Sequence, residues 1–347
     1  MGMRYIGSKA RVVEAILDIV GDPVPGSTFI DGFCGTGAVA EQAARRGWPI
    51  RINDTLLSAT TMAAARITAP AVVPFSALGG YEAALALLND VEPVNGFLWR
   101  EYSPASRQFS PHERRYFTEE NAAAIDAMRR QIAAWSESGA LRPAEERLLI
   151  ADLLLAVSAV ANIAGTYGCF LRAFADTALQ PVFVRPRALF SRDVAVEVHN
   201  VDVTVVPTNE ADVAYFDPPY TKRQYAAYYH ILETVTLGDE PEVAGVTGLR
   251  PWQDKASDYC YKSRALKALV RLLRTTPARR VILSYSSEGH VAQADLEREL
   301  AELGDVSVHP IGIIGRYRPN RAASIAADSV HEFVFELRKD AELEAVA

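Results

Sequence analysis

The sequence predicts an α/β protein: a doubly wound, mostly parallel sheet with a mainly helical lobe inserted into it. Three observations carry the prediction. An apolar run ending in glycines, STFIDGF, leads directly into a helical stretch at 36–47 and then into PIRIND (49–54), a second apolar run that ends in an acid. Strand, glycine turn, helix, strand is the opening of such a sheet. From about residue 75 to 190 that alternation is lost, and proline and aromatic residues appear among charged helices. It then resumes with VEVHNVDVTVV (196–206), DVAYFDPPY (212–220) and RRVILSYSS (279–287). The sheet is therefore assigned to 1–74 and 195–347, and the inserted lobe to 75–194.

Each element has its own signal. Residues 10–20 place Val12, Val13, Ile16, Leu17, Ile19 and Val20 at helical spacing, and Gly21 stops the helix. Pro23 and Pro25 clear the chain into the first strand. In the insertion, 119–135 and 144–164 read as two long helices with SESGALRP as the loop between them. The longest apolar stretch, Leu148 to Ala164, carries Asp152 and Asn162 and follows Glu145, Glu146 and Arg147, so it reads as a buried helix and not a membrane span. VHEFVFEL (330–337) gives a last strand, its apolar residues interrupted by charges.

Composition narrows the function classes. With 347 residues and 49% hydrophobic content, the chain can bury a core without disulfides or a structural metal. Cys34, Cys169 and Cys260 form no C-x-x-C pair, which disfavours a cysteine zinc site and fits a reducing, cytoplasmic setting. Met-Gly-Met-Arg-Tyr at the start holds no apolar signal core. The spacings of His112, His199, His290, His309 and His331 suggest no metal site, and His230 reads as packed or bonded locally. A net charge of −7 argues mildly against nucleic acid, but residues 250–280 hold nine Lys/Arg against Asp254 and Asp258, so the average conceals local basic surface.

Two segments carry chemistry. In FIDGFCGTGAVA (29–40) a strand delivers Asp31 and Phe33 to a turn built on Gly35 and Gly37, and a helix follows at once. Glycines let the backbone approach a ligand, and the helix start offers unpaired N–H groups. Asp54 ends the next strand, where a carboxylate can take both hydroxyls of a ribose. Ala40 stands where a third glycine would complete G-x-G-x-x-G, which weakens a nicotinamide reading. In YFDPPY (215–220) an acid, two prolines and an aromatic end an apolar strand. Successive prolines fix the backbone, so the Pro218 carbonyl is held rigidly beside the Asp217 carboxylate, with Pro219 and the Tyr220 ring following. Two acceptors aimed at one point beside an aromatic wall suit an exocyclic amine on a planar base.

A DPPY box with an upstream D-x-F-x-G-x-G resembles the AdoMet-dependent amino-methyltransferases. Further pieces resemble the Dam-type, alpha-arranged DNA adenine-N6 methyltransferases: RYIGSK (4–9), INDT (52–55), NVD (200–202), RQYAAYYHILETV (223–235) and LSYSS (283–287). The resemblance covers about 1–60 and 195–340, and reaches the middle block only through NIAGTYGCFL (162–171). It implies a Rossmann-like methyltransferase sheet, S-adenosyl-L-methionine as methyl donor with no metal, and double-stranded DNA as partner, in some settings with a cognate restriction endonuclease.

Carried over by residue, the resemblance implies that Tyr5 and Lys9 contact AdoMet, that Asp31, Phe33, Gly35 and Gly37 form its pocket, that Asp54 holds the ribose and that Asp202 holds the adenine amine. Asp217, Pro218, Pro219 and Tyr220 would hold the target base. Tyr5 stands where these enzymes commonly have tryptophan, and Ser8 replaces a glycine. Phosphate contacts fall to Lys222 and Arg223 beside the box and to Arg316, Arg318 and Arg321 in GRYRPNR. Lys262, Lys267, Arg271 and Arg274 read instead as the solvated face of a helix that buries Leu266, Leu269, Val270 and Leu273. Other acceptors stay open: cytosine N4 in DNA, adenine in RNA, or no reaction at all in a silent AdoMet- or nucleic-acid-binding subunit. Oligomeric state and recognised sequence are not legible.

Overall fold

A computed structural model describes residues 9, 11–314 and 330–340. The chain divides into two compact units. Among the described residues, one takes Leu56–Asp193 with Tyr225–Lys255, and the other takes Lys9 with the described residues to Thr55, Val194–Gln224 and the described residues from Ala256.

The second unit holds the sheet. Its strands are β1 (Phe29–Asp31), β2 (Ile50–Asn53), β3 (Val196–His199), β4 (Val213–Phe216), β5 (Arg280–Ser286), β6 (Gly304–Ile314) and β7 (Val330–Lys339). Their order is β3-β2-β1-β4-β5-β7-β6, with β7 antiparallel to both neighbours and every other pair parallel. β1, β2 and β4 are buried at every position, as parallel central strands covered on both faces must be.

Side-chain alternation sorts the sheet into two faces. Ala214, Phe216, Val281, Leu283, Tyr285, Phe333, Phe335 and Leu337 join Leu269, Leu272 and Leu273 of helix Ala265–Thr275 and Leu296 and Leu300 of helix Gln293–Ala301 in one core. Lys262, Lys267, Arg271 and Arg274 stand exposed, so the solvated-face reading holds. The opposite parity carries Tyr215, Ile282, Ser284, Ser286, Glu332, Val334 and Glu336. There Arg280 pairs with Glu336 at 2.8 Å and donates to the carbonyls of Ile19 and Val20. It thereby satisfies the C-terminal end of helix Val13–Val20, whose last carbonyls lack partners of their own. At the same, amino-terminal end of the parallel strands, Asp212 accepts from Thr28 N (2.9 Å), Asn209 N (2.9 Å) and Arg51 (3.3 Å), tying the start of β1 to β2 and to the approach to β4.

Two elements differ from the sequence reading. The 196–206 run is a strand only to His199, because the Asp202 carboxylate accepts from Thr204 N at 2.9 Å and turns the chain into a short 3-10 helix, Val203–Val205. β6 was not anticipated. Pro310 and the polar residues of GDVSVHPIGII mask its alternation, and the proline is tolerated because β6 is the edge strand and its register shifts between Pro310 and Gly312.

The first unit is helical. Leu148, Leu149, Leu153, Leu154 and Val157 of helix Pro143–Val160 are fully buried, as expected of the apolar stretch. No helix among the described residues is long and apolar enough to cross a membrane. Glu233, on helix His230–Leu237, accepts from Leu57 N (3.0 Å), Ser58 N (2.9 Å) and Ser58 Oγ (2.8 Å) at the start of helix Leu57–Arg66, and pairs with Lys255 at 2.7 Å. Burial alone would raise its pKa, yet these partners hold it below the ordinary glutamate value. Beyond Val160 the chain runs to 193 without a helix, pinned by side-chain amides, two of them buried. Asn162 bonds Arg115 O, Leu171 O and Ala175 N; Asn121 bonds Ala178 O, Gln180 O and Val182 N; Asn89 bonds both backbone groups of Val184. His230 is fully buried, its Nε2 at 3.1 Å from Tyr167 O, and burial lowers its pKa to about 4.

Candidate active site

Strand order reverses at β1 and β4, which run side by side with β1 already paired to β2 on its other edge. Ligands bind at such a switch point, outside the carboxyl ends of the strands. Asp31 ends β1, level with Tyr215 on β4 and Ile52 on β2, so Asp54 and Asp217 follow at the same end of the sheet. The register brings three carboxylates that are far apart in sequence to one edge.

The glycine turn is built as the sequence requires. Gly35 (φ 48°) and Gly37 (φ 80°) take left-handed backbone, and Gly37 leads directly into helix Ala38–Arg45. Gly35 N donates to Asp54 Oδ2 at 3.1 Å, and Cys34 N donates to Asn53 O at 2.9 Å. Asn53 is fully interlocked: Nδ2 donates to Gly32 O and Val201 O, both at 3.2 Å, and Oδ1 accepts from Val201 N at 3.1 Å. Asn200 Nδ2 donates to Asp54 O at 3.0 Å. The three loops bearing Asp31, Asp54 and Asp202 are thus bonded to one another. Asp202 is exposed, with Oδ1 engaged by Thr204. Phe33 lies edge-on to Phe216 at 6.2 Å and to Tyr259 at 5.4 Å.

Asp31 is buried, and its Oδ1 has no hydrogen-bond partner among the described residues. Burial, then the charges of Asp217 and Asp54, push its pKa well above the carboxylate range. A buried acceptor left open beside a glycine cradle fits a cationic, hydrogen-bonding ligand. Burial, then Asp54 and Asp31, likewise raise the Cys34 thiol well above its ordinary value, which works against forming the thiolate.

Around the DPPY box a charged cluster forms. Lys9, 4% exposed, places Nζ 2.6 Å from Glu332 Oε2 and 3.2 Å from Asp217 Oδ1, and 5.4 Å from the centre of the Tyr220 ring. Tyr220 Oη donates to Glu332 Oε1 at 3.3 Å, and its ring lies edge-on to Tyr285 at 5.7 Å. Burial works against the Lys9 charge, yet Asp217 and Glu332 together hold its pKa above the ordinary lysine value. Burial raises Asp217 to about 6; Lys9 opposes the rise and Glu332 adds to it. Among the described residues no hydrogen bond takes the Pro218 carbonyl, while Tyr220 O accepts from His290 N at 2.9 Å. Lys222 and Arg223 stand exposed just past the box, on a loop locked where Gln224 exchanges hydrogen bonds with the backbone of Ser257.

The structure therefore brings Lys9, Asp31, Phe33, Gly35, Gly37, Asp54, Asp202 and Asp217–Tyr220 to one end of one sheet. Tyr5, Arg316, Arg318 and Arg321 lie outside the described residues. Sequence reasoning missed Glu332, which sits in a strand already read as charge-interrupted, and Tyr259, for which the sequence carries no signal. It also passed over Asn53, visible only as the middle of INDT. Among the described residues no group of three His, Cys, Asp or Glu side chains is placed to hold a metal ion.

A seven-stranded sheet of this order, with a glycine turn after β1 and an Asp-Pro-Pro-Tyr box after β4, defines a Rossmann-like methyltransferase fold. Sequence comparison agrees: the D12 class N6 adenine-specific DNA methyltransferase family matches residues 5–294, and the chain belongs to that family. Relatives include the type II methyltransferase M.FokI of Planomicrobium okeanokoites, 32% identical over 97% of this chain and 53% of its own length. The modification methylase StsI of Streptococcus sanguinis is 30% identical over 97% of this chain and 52% of its own. The type II methyltransferase M.NlaIII of Neisseria lactamica is 30% identical over 86% and 88% respectively. The chain spans about half the length of the first two.

Proposed function

We propose that the chain transfers a methyl group from S-adenosyl-L-methionine to the N6 amine of an adenine in double-stranded DNA, as the modification half of a restriction-modification pair with a cognate endonuclease. The observation that carries the reading is the Asp217–Tyr220 box at the end of β4, one strand from the glycine turn and open carboxylate of β1. Family membership names the base and the amine. A cytoplasmic setting follows from a DNA substrate.

AdoMet, when bound, supplies the electrophilic methyl group. Asp31, Gly35, Gly37, Asp54 and Asp202 are the residues that would hold it, with Phe33 and Lys9 at the margins. An adenine amine inside a base pair cannot reach a sulfonium, so the base must leave the stack. Asp217 and the Pro218 carbonyl then accept its two N–H bonds, which draws the nitrogen lone pair out of conjugation with the ring. Tyr220 provides the stacking wall. Proximity and orientation supply much of the rate, and no covalent enzyme intermediate is needed. Lys222 and Arg223 would contact phosphate, as would Arg316, Arg318 and Arg321. The 75–194 block would select the target.

The test is incubation of the purified protein with tritiated AdoMet and mixed-sequence duplex DNA, followed by digestion to nucleosides. Label in N6-methyladenine supports the reading, and label in N4-methylcytosine or in RNA alone overturns the acceptor. Asp217→Ala is expected to lose methyl transfer while keeping AdoMet binding. Cofactor binding by the wild type without transfer to any nucleic acid would mean a silent binding subunit.

A further inference from the structure

The charged cluster contains a residue to which the reaction as described gives no role. Glu332 lies on β7, two strands from Asp217, with β5 between them. Register sets Glu332 opposite Ser286 on β5. Asp217, one residue beyond the Phe216–Leu283 pair, is level with Ser284. Strands two apart are about 10 Å apart, so the carboxylates cannot touch directly. Lys9 bridges the gap, its Nζ within ion-pair distance of both carboxylates, and the residues level with them on β5, Ser284 and Ser286, are short and fully buried.

One ammonium thus serves two carboxylates unequally. Its contact with Glu332 Oε2 is a 2.6 Å hydrogen bond, whereas its contact with Asp217 Oδ1 is a longer ion pair at 3.2 Å. Methyl transfer needs that acceptor for the target amine. We propose that Glu332 is a positioning residue that keeps Lys9 as a detachable counter-charge: Lys9 neutralises Asp217 in the free protein and stays on Glu332 when the amine takes Asp217. The proposal rests on the methyl-transfer reading of the site. A buried lysine stripped of its nearer partner would shed its proton or follow the carboxylate that remains beside it. Without Glu332, Lys9 would therefore close on Asp217 and compete with the substrate. The Glu332–Tyr220 hydrogen bond holds the stacking ring from the same carboxylate.

The groups facing Asp217 are Lys9 from the N-terminal segment, Glu332 from β7, Asp31 from β1, Tyr215 from β4 and Tyr220 of the box itself. Of these Glu332 is a raising influence on Asp217 and Lys9 a lowering one. Glu332→Gln keeps the shape and removes the charge. It is expected to lower kcat about tenfold through misplaced groups, leave KM for AdoMet within about twofold, and move the acid limb of kcat/KM for DNA down by about 1 pH unit. Glu332→Asp should restore the limb. An unchanged limb and kcat in Glu332→Gln would overturn the proposal, as would an aspartate variant equally slow with its limb also displaced. Carbon NMR titration of the Asp217 carboxyl in the free protein gives a reading independent of substrate. A fall in its pKa in Glu332→Gln supports the cluster even if no DNA is methylated, an outcome that would sink the functional reading alone. No fall overturns the proposal whatever the activity.

Discussion

Replacing Gly32 by alanine puts one methyl group between the two halves of the site. Gly32 follows Asp31 and is not among the glycines with left-handed backbone, so alanine is conformationally allowed there and the question is one of space. A Cβ at Gly32 would sit 2.6 Å from two ring carbons of Phe216 and 3.0 Å from Val203. Carbon atoms pack at about 3.5–4.0 Å, so the ring must move by about 1 Å. Phe216 is 3% exposed in a filled core, and overpacking of this kind costs about 1–3 kcal/mol. The same residue immediately precedes Asp217, so a shift of about 1 Å at the ring would displace the amine acceptor and cost up to about 100-fold in rate. Urea unfolding and single-turnover methyl transfer read the two effects separately. Phe216→Leu in the Gly32→Ala background removes the clash and should recover part of both. If Gly32→Ala keeps its urea midpoint and its single-turnover rate, Phe216 does not transmit packing to Asp217 and the reasoning fails.

Two further outcomes are expected. With Asp217 raised to about 6 by burial and its ionised form required to accept the amine, kcat/KM should be level above pH 7 and fall about tenfold per unit well below 6. A limb near pH 4, as for an exposed aspartate, would refute the burial argument. Glu233→Ala would strand two backbone N–H groups, the Ser58 hydroxyl and the Lys255 ammonium, costing about 3–5 kcal/mol. A drop in chemical-denaturation stability under 1 kcal/mol would mean that the helix start is capped by water as well as by Glu233.

The parts of the site legible in the sequence are those that backbone geometry dictates locally. A left-handed turn needs glycine, which exposed Gly35 and Gly37. A rigid carbonyl beside an acid needs consecutive prolines, which exposed the 217–220 box. Buried parallel strands need apolar runs, and β1, β2, β4 and β5 were found that way. Edge strands carry no such demand, and β6, with Asp305, Ser307, His309 and Pro310 along it, passed unread. The ladder of Asn89, Asn121 and Asn162 was invisible for a related reason: a side-chain amide satisfying distant backbone has no local pattern.

The sequence by itself determined the α/β class, the family and the two chemical segments, because each follows from short-range constraint on φ, on hydrogen bonding or on alternation. Only the tertiary structure decided that Lys9 and Glu332, 323 residues apart, share an ammonium-carboxylate bond over β5. That contact depends on an antiparallel β7 entering between β5 and β6. Strand order and register are set by the packing of the whole sheet, and no window along the chain contains them.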